Sequence, residues 1–309
     1  MSLSVIIPAY NSARYIAETL RSVLRQTVLP DEILVIDDGS TDETASIAEG
    51  FSPLVRVFRR RNEKQAASRN FGVLQAKGEW IAFLDSDDLW EPNKLERQME
   101  ELAANPSADV CYTSRVEMLD DGSNTLHRGK VIEVAKPSEV RQALFRNTNF
   151  LPSAVIVRRS LYLAVGGFDS RVSVEDWDLW LRLLHAGARF VACPEPLVQY
   201  RTYMHRPNPY GGMATFHSKE DIHRRLIYPH LPRATRWYTR NKIRSEHEYC
   251  AAYTLRAAGE SSRAFRMMLR SVLRAPFYYP YRYKVLAHML YTRLLRHNAP
   301  AEHQESLAG

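Results

Sequence analysis

Apolar and polar positions follow two alternating rhythms through the first third of the chain. "LSVIIPAY" is a short apolar run that predicts a buried strand. "SARYIAETLRSVLRQT" then places Ile16, Leu20, Val23 and Leu24 on one helical face. "EILVIDDGS" predicts a second strand. "STDETASIAEGF" predicts a helix start, with Ser40 three residues before Glu43 as a capping box. "VRVF", "QAASRNFGVLQA" and "WIAFLDSDD" read as strand, helix and strand. Pro92 suits the first turn of "EPNKLERQMEELAA", and "ADVCYTS" is a fifth strand. Strands alternating with helices imply an α/β fold with a mostly parallel central sheet between helices. Ligands bind such sheets at the carboxyl ends of the strands. Unusual residues collect there: Pro8, Tyr10 and Asn11 after the first strand, Asp37 and Asp38 after the second, Asp85 and Asp87 after the fourth. Asn11 or Ser12 reads as the N-cap of the first helix.

The last hundred residues have a different pattern and charge. "SKEDIHRRLIYPHL", "KIRSEHEYCAAYTLRAAG", "ESSRAFRMMLRSVLRAP" and "YKVLAHMLYTRLLRHN" predict four helices. Residues 206–309 hold 18 Lys plus Arg against 7 Asp plus Glu, whereas residues 1–205 hold 24 against 28. The shift falls near "YMHRPNPYGG", where Pro207, Pro209, Gly211 and Gly212 interrupt regular structure. The expected organisation is a catalytic domain over 1–205 and a basic helical extension over 206–309.

Cys111, Cys193 and Cys250 are far apart and odd in number, so neither a disulfide framework nor a zinc site is expected, in keeping with a cytoplasmic setting. "MSLSVIIPAY" lacks the basic region and cleavage site of a signal peptide. No run approaches the roughly 18 apolar residues of a membrane span.

"IAFLDSDDLW" carries the chemistry. Asp85, Asp87 and Asp88 put three carboxylates into four positions, where a strand end needs one polar cap. Asp85 and Asp87 point the same way in extended backbone. Clustered carboxylates suit a hard divalent cation whose other positions go to phosphate oxygens; Asp88 reads as a local cap. A dinucleotide enzyme would show a glycine fingerprint after the first strand, and "PAYNSARY" has no glycine. A nucleotidyltransferase would need a glycine-rich basic loop there, which is also missing.

"VIIPAYN", "VIDDGSTDET", "ASRNFG", "FLDSDD", "GGFD" and "EDWDLWLRL" occur in this order over roughly residues 1–203. The ordered set resembles the family-two inverting glycosyltransferases of the GT-A fold. That resemblance implies transfer of a sugar from a nucleotide-diphosphate sugar, here a UDP-sugar in first place, to an acceptor hydroxyl with inversion. It implies Mn²⁺ or Mg²⁺ held by Asp87 and Asp85, with Asp85 also near the ribose. By the same resemblance Pro8 and Tyr10 flank the nucleotide base, which an aromatic ring can stack upon. Asp38 accepts from the base N–H. Arg69 reaches a phosphate or the base, and Gly72 allows close backbone approach.

Asp176 sits in the first turn of "VEDWDLWLRL", where the positive helix end favours an ionised carboxylate. The resemblance makes it the general base that takes the acceptor's proton. Glu175 positions that base or the acceptor, Arg182 serves the diphosphate or a nearby carboxylate, and Asp178 points to a different face. Many relatives place a His three residues beyond the Tyr of "VQYR"; here that position is Tyr203, and His205 follows as a candidate for the metal or diphosphate. A non-catalytic sugar-nucleotide or glycan-binding protein is the alternative, and it requires a lost base or metal ligand.

In the extension, Arg263, Arg266, Arg270 and Arg274 form a basic stripe opposite Phe265, Met268, Leu269 and Val272, and "FYYPYRYK" adds aromatics. Basic amphipathic helices suit an anionic membrane surface, which would place the protein peripherally on the inner face of the cell membrane. A lipid-linked saccharide acceptor would explain the need for that surface. A helical cap with a solvated basic side is the plainer reading. Nothing matches a nucleic-acid module, and no nucleic acid is expected.

Overall fold

β1 (Leu3–Ala9) is buried at every position because strands flank it on both sides and helices cover it. The computed structural model describes residues 1–51, 53–120, 126–133, 135–146, 150–203, 213–276 and 283–290. β1, β2 (Glu32–Asp37), β3 (Val55–Arg59) and β4 (Trp80–Phe83) are parallel neighbours in the order β3-β2-β1-β4. α1 (Ile16–Leu24), α2 (Thr44–Glu49) and α3 (Lys64–Gln75) are the crossovers. Val5 and Ile7 of β1, Ile33 and Val35 of β2, and Leu20 and Val23 of α1 share one core. Each such fully buried side chain contributes roughly 1.5–3 kcal/mol. On the other face α3 packs so closely that a Cβ on Gly72 would meet Ile6 Cγ2 at 2.5 Å.

Beyond β4 the sheet is mixed. β5 (Leu89–Trp90) and α4 (Lys94–Ala104) precede the long β6 (Val110–Asp120) and β7 (Leu126–Ile132). α5 (Val140–Arg146), β8 (Val155–Arg158), α6 (Arg159–Ala164), α7 (Glu175–His185) and β9 (Phe190–Tyr203) follow. The order continues β4-β8-β6-β9-β5, with β7 beside β6. β8 is antiparallel to both β4 and β6, and β6 and β9 are parallel. The fifth predicted strand is thus separated from the fourth by β8.

Three predicted helix starts move. Ser40 does not cap α2. Its Oγ accepts the Asn11 N–H at 3.0 Å, and Asp42 Oδ1 accepts the Thr44 N–H at 3.0 Å where the helix begins. Asn11 and Ser12 do not cap α1, which starts at Ile16; Asn11 sits at φ +47° and accepts the Thr41 N–H at 2.8 Å. Pro92 precedes the first turn of α4. For Ser40 and Asn11 a loop-to-loop hydrogen bond takes the polar group that local sequence assigned to a cap.

The chain divides into two compact units, Met1–Pro207 and Asn208–Gly309. The second contains α8 (Met213–Ile222), α9 (Arg233–Ala257), α10 (Ser261–Arg274) and a helical run over 283–290. The segment from Pro207 to Gly212 and most of "FYYPYRYK" lie outside the described residues. No helix among the described residues is long and apolar enough to cross a membrane.

Candidate active site

The carboxyl ends of β1, β2 and β4 converge because these strands are parallel neighbours. Tyr10 leaves β1 half exposed, at 50 %, so its ring is available to a ligand. Pro8 lies inside β1, buried opposite Ile36, and contributes strand backbone rather than an exposed ring. Asp38 is buried beside the end of β1: its N–H donates to Ala9 O at 2.8 Å and its Oδ1 accepts the Glu63 N–H at 2.9 Å.

The three carboxylates after β4 are separated by three different partners. Asp85 Oδ1 meets Arg69 Nη2 at 2.5 Å. Asp87 Oδ2 accepts the Tyr203 hydroxyl at 2.5 Å. Asp88 is fully buried and accepts from Ser153 Oγ at 2.6 Å and the Arg201 N–H at 3.0 Å. Burial, then the charges of Asp87 and Asp85, pushes Asp88 well above the usual carboxylate range. Asp88 is therefore a buried anchor of the turn, not a helix cap. The turn is further held by Thr19 Oγ1, which donates to the carbonyls of Ser86 and Asp88 at 3.0 Å each.

Arg69 was expected to reach a phosphate or the base. It is instead almost wholly buried beneath the site, with Nη1 3.2 Å from Glu175 Oε1 and Nη2 on Asp85. The first positive group among the clustered carboxylates is thus a protein guanidinium. The neighbouring Asn70 holds the "GGFD" turn: its Nδ2 donates to Phe168 O and its Oδ1 accepts the Phe168 N–H, both at 2.8 Å. Gly167, at φ +66°, is required there, since a Cβ would meet Asn70 Oδ1 at 2.5 Å. Arg182 holds the same turn from α7. It pairs with Asp178 at 2.7 Å and donates to the Val165 and Gly167 carbonyls at 2.6 and 2.7 Å. Of the two roles expected for it, diphosphate or nearby carboxylate, its guanidinium takes the second. Asp178 does point to a different face of α7 from Asp176, but it is fully buried there in the pair with Arg182.

Asp176 begins α7 beside Glu175, and its Oδ1 accepts the Trp177 N–H at 2.7 Å. The helix start does not keep it a strong acid. Burial, then the charge of Glu175, pushes its pKa up to about 7, against the opposing pull of the Trp177 N–H and Arg69. A carboxylate poised near neutrality suits general-base work.

Arg201 is a site residue that pattern reading missed. It is buried, donates from Nε to Asp87 O at 2.9 Å, and pairs with Glu18 at 2.9 Å and Asp120 at 3.3 Å. Its one sequence cue is an arginine inside the strand "LVQYRTY". His205 lies outside the described residues. Asp85 and Asp87 are hard oxygen donors that fit a divalent cation completed by phosphate oxygens. Among the described residues no group of three His, Cys, Asp or Glu forms a full protein cage.

A parallel half-sheet with carboxylates at its exits, continued by mixed strands, is the GT-A fold. The S. aureus TarS 1-349 structure in complex with UDP-GlcNAc matches it with a TM-score of 0.62 at 20 % identity, covering 93 % of this chain and 84 % of that one. Residues 4–165 match the model of glycosyl transferase family 2, and the chain belongs to that family. A putative teichuronic acid biosynthesis glycosyltransferase, TuaG of Bacillus subtilis, is 32 % identical over 203 residues, covering 64 % of this chain and 78 % of that protein. An uncharacterized glycosyltransferase of Rickettsia typhi is 31 % identical over 189 residues, 60 % of this chain. The match spans 59 % of that relative's length, and 31 % of the length of a similar one from Rickettsia felis.

Proposed function

We propose that the chain is an inverting glycosyltransferase that moves a sugar from a UDP-sugar to an acceptor hydroxyl in cell-surface polysaccharide synthesis. The observation that carries this reading is the single guanidinium of Arg69 tying Asp85, on the donor side, to Glu175, next to the base Asp176. A metal site and a base registered to one rigid group suit a direct displacement, in which donor and acceptor must be held in line. The names of the relatives support the substrate class: TarS has been crystallised with UDP-GlcNAc, and TuaG is named for teichuronic acid biosynthesis.

In this reading Tyr10 stacks on the base and Asp38 accepts from its N–H. Asp87 and Asp85 hold Mn²⁺ or Mg²⁺, which supplies positive charge to the diphosphate. Asp176 takes the acceptor's proton as the acceptor oxygen bonds to the anomeric carbon. The bond from that carbon to the diphosphate oxygen breaks on the opposite face, and UDP leaves. Glu175 orients the acceptor or the base. The acceptor is a saccharide or a lipid-linked saccharide.

The test is a panel of nucleotide sugars with Mn²⁺ or Mg²⁺, followed by proton NMR of the product's anomeric centre. A UDP-sugar should be consumed with inverted configuration. A retained configuration, or no turnover with any nucleotide sugar and acceptor, overturns the reading.

A further inference from the structure

α10 has two faces with different fates. Ala264, Met268 and Val272 turn into the core of the helical unit. There Ser245 Oγ donates to Ser271 O and Ser271 Oγ to Ser245 O, each at 2.7 Å. The sequence places four arginines on this helix, and the structure splits them. Arg263 pairs with Glu260 at 2.5 Å and Arg274 with Glu248 at 2.8 Å. Arg266 and Arg270 are exposed and make no ion pair among the described residues.

Between those two guanidiniums lie leucines. Leu269 is 37 % exposed and Leu273 71 % exposed. Arg266, Leu269, Arg270 and Leu273 fall at helical steps of three and four, on one outward face. Leu273, largely in water, and the partly exposed Leu269, beside two guanidiniums without an ion pair among the described residues, form an amphipathic surface with a specific complement. The apolar atoms call for hydrocarbon, and the charges call for anions at the same depth. An anionic lipid leaflet offers both, with acyl chains beneath a layer of phosphates. The same unit exposes Trp237 at 75 %, an aromatic suited to the headgroup level. The charge of residues 206–309, 18 Lys plus Arg against 7 Asp plus Glu, favours an anionic partner throughout.

We infer that the outer face of α10, centred on Leu269 and Leu273 and flanked by Arg266 and Arg270, binds the surface of an anionic bilayer. The leucines enter the acyl boundary and the guanidiniums remain with the phosphates. No spanning helix is required. The inference takes from the transferase reading only that a lipid-linked acceptor is met at that surface, and the binding is read without turnover.

The experiment is flotation of the full chain with phosphatidylcholine vesicles, with and without phosphatidylglycerol, with UDP binding measured on the same samples. The expected result is flotation with phosphatidylglycerol vesicles alone, reversed by high salt because screening weakens charge attraction. Replacing Leu269 and Leu273 together by Ser should lower partitioning about tenfold or more. Replacing Arg266 and Arg270 together by Gln should lower it and flatten its salt dependence. Leu273, Arg266 and Arg270 point into water, so Leu273→Ser alone and the double arginine variant should melt at the wild-type temperature by circular dichroism. Leu269, partly buried, should lower the melt when replaced. Flotation of Leu273→Ser alone should still fall. No flotation at low salt overturns the inference, as does unchanged flotation of both double variants. So does sedimentation showing that Leu269 and Leu273 instead hold two copies of the chain together. A wild type that binds UDP but not vesicles overturns this surface alone; one that binds vesicles but no nucleotide overturns the transferase reading alone.

Discussion

The hydroxyl of Tyr203, at the end of β9, donates to Asp87 Oδ2 at 2.5 Å. The family resemblance leads to the expectation of a His at this position, and here the Tyr203 phenol holds the carboxylate proposed for the metal. Tyr203→Phe keeps the ring, whose edge meets Tyr15, and removes only the donor. A hydrogen bond to a charged group is worth about 1.5–3 kcal/mol. The apparent affinity for Mn²⁺, titrated in the presence of UDP, should therefore weaken by about tenfold or more, while the melting temperature changes little. An unchanged titration would show that the phenol does not set the metal ligand.

The proposed cation rests on Asp85 and Asp87. Chelation should abolish UDP binding, and added Mn²⁺ or Mg²⁺ should restore it. Asp87→Ala should lose most turnover while remaining folded by circular dichroism. Tight UDP binding together with full turnover in excess chelator would remove the cation from the reading.

Asp176→Asn preserves shape and removes proton acceptance. Turnover should fall by roughly 10²- to 10⁴-fold with UDP binding intact. Wild-type turnover in this variant would transfer the base role to Glu175.

The pH dependence has a worked sign. Asp176 is raised from its ordinary value of 3.8 to about 7 in the fold. A base must be ionised, so turnover should rise by about tenfold per pH unit below that value and level off above it. For stability, a raised carboxyl pKa means that the neutral form is favoured by folding. That contribution is complete below the unfolded value and is lost as pH rises through about 7. Asp176→Asn should therefore melt above wild type at about pH 8, with the gap closing toward about pH 4. Equal melting temperatures across this range would show that Asp176 carries no such strain.

Arg69 is a structural keystone as well as a site residue. Arg69→Met leaves Glu175 and Asp85 without their shared cation. Removing one partner of a buried ion pair costs about 3–5 kcal/mol, which urea unfolding should show alongside lost turnover. Asp178→Asn, at the other buried pair, should likewise destabilise, because Arg182 then loses its charged partner while still holding the turn. A silent Asp178 variant would mean that the Val165 and Gly167 carbonyls alone keep Arg182 in place.

The sequence by itself determined the first four strands, their parallel sense and the edge at which Tyr10, Asp38, Asp85 and Asp87 collect. These depend on local period and on residues next to strand ends, so short windows carry them. It also placed Asp176 in a first helical turn. What those side chains touch was decided only by the tertiary structure. Arg69 and Glu175 are 106 residues apart, and Asp87 and Tyr203 are 116 apart. No local pattern distinguishes an arginine that faces a phosphate from one buried between two carboxylates. The insertion of β8 between β4 and β6 was invisible for the same reason, since strand order depends on which long-range pairing wins. The pKa of Asp176 illustrates the contest most simply. Its place at a helix start predicts an ionised acid, but burial beside Glu175, which only the fold creates, outweighs the helix end and raises it to about 7.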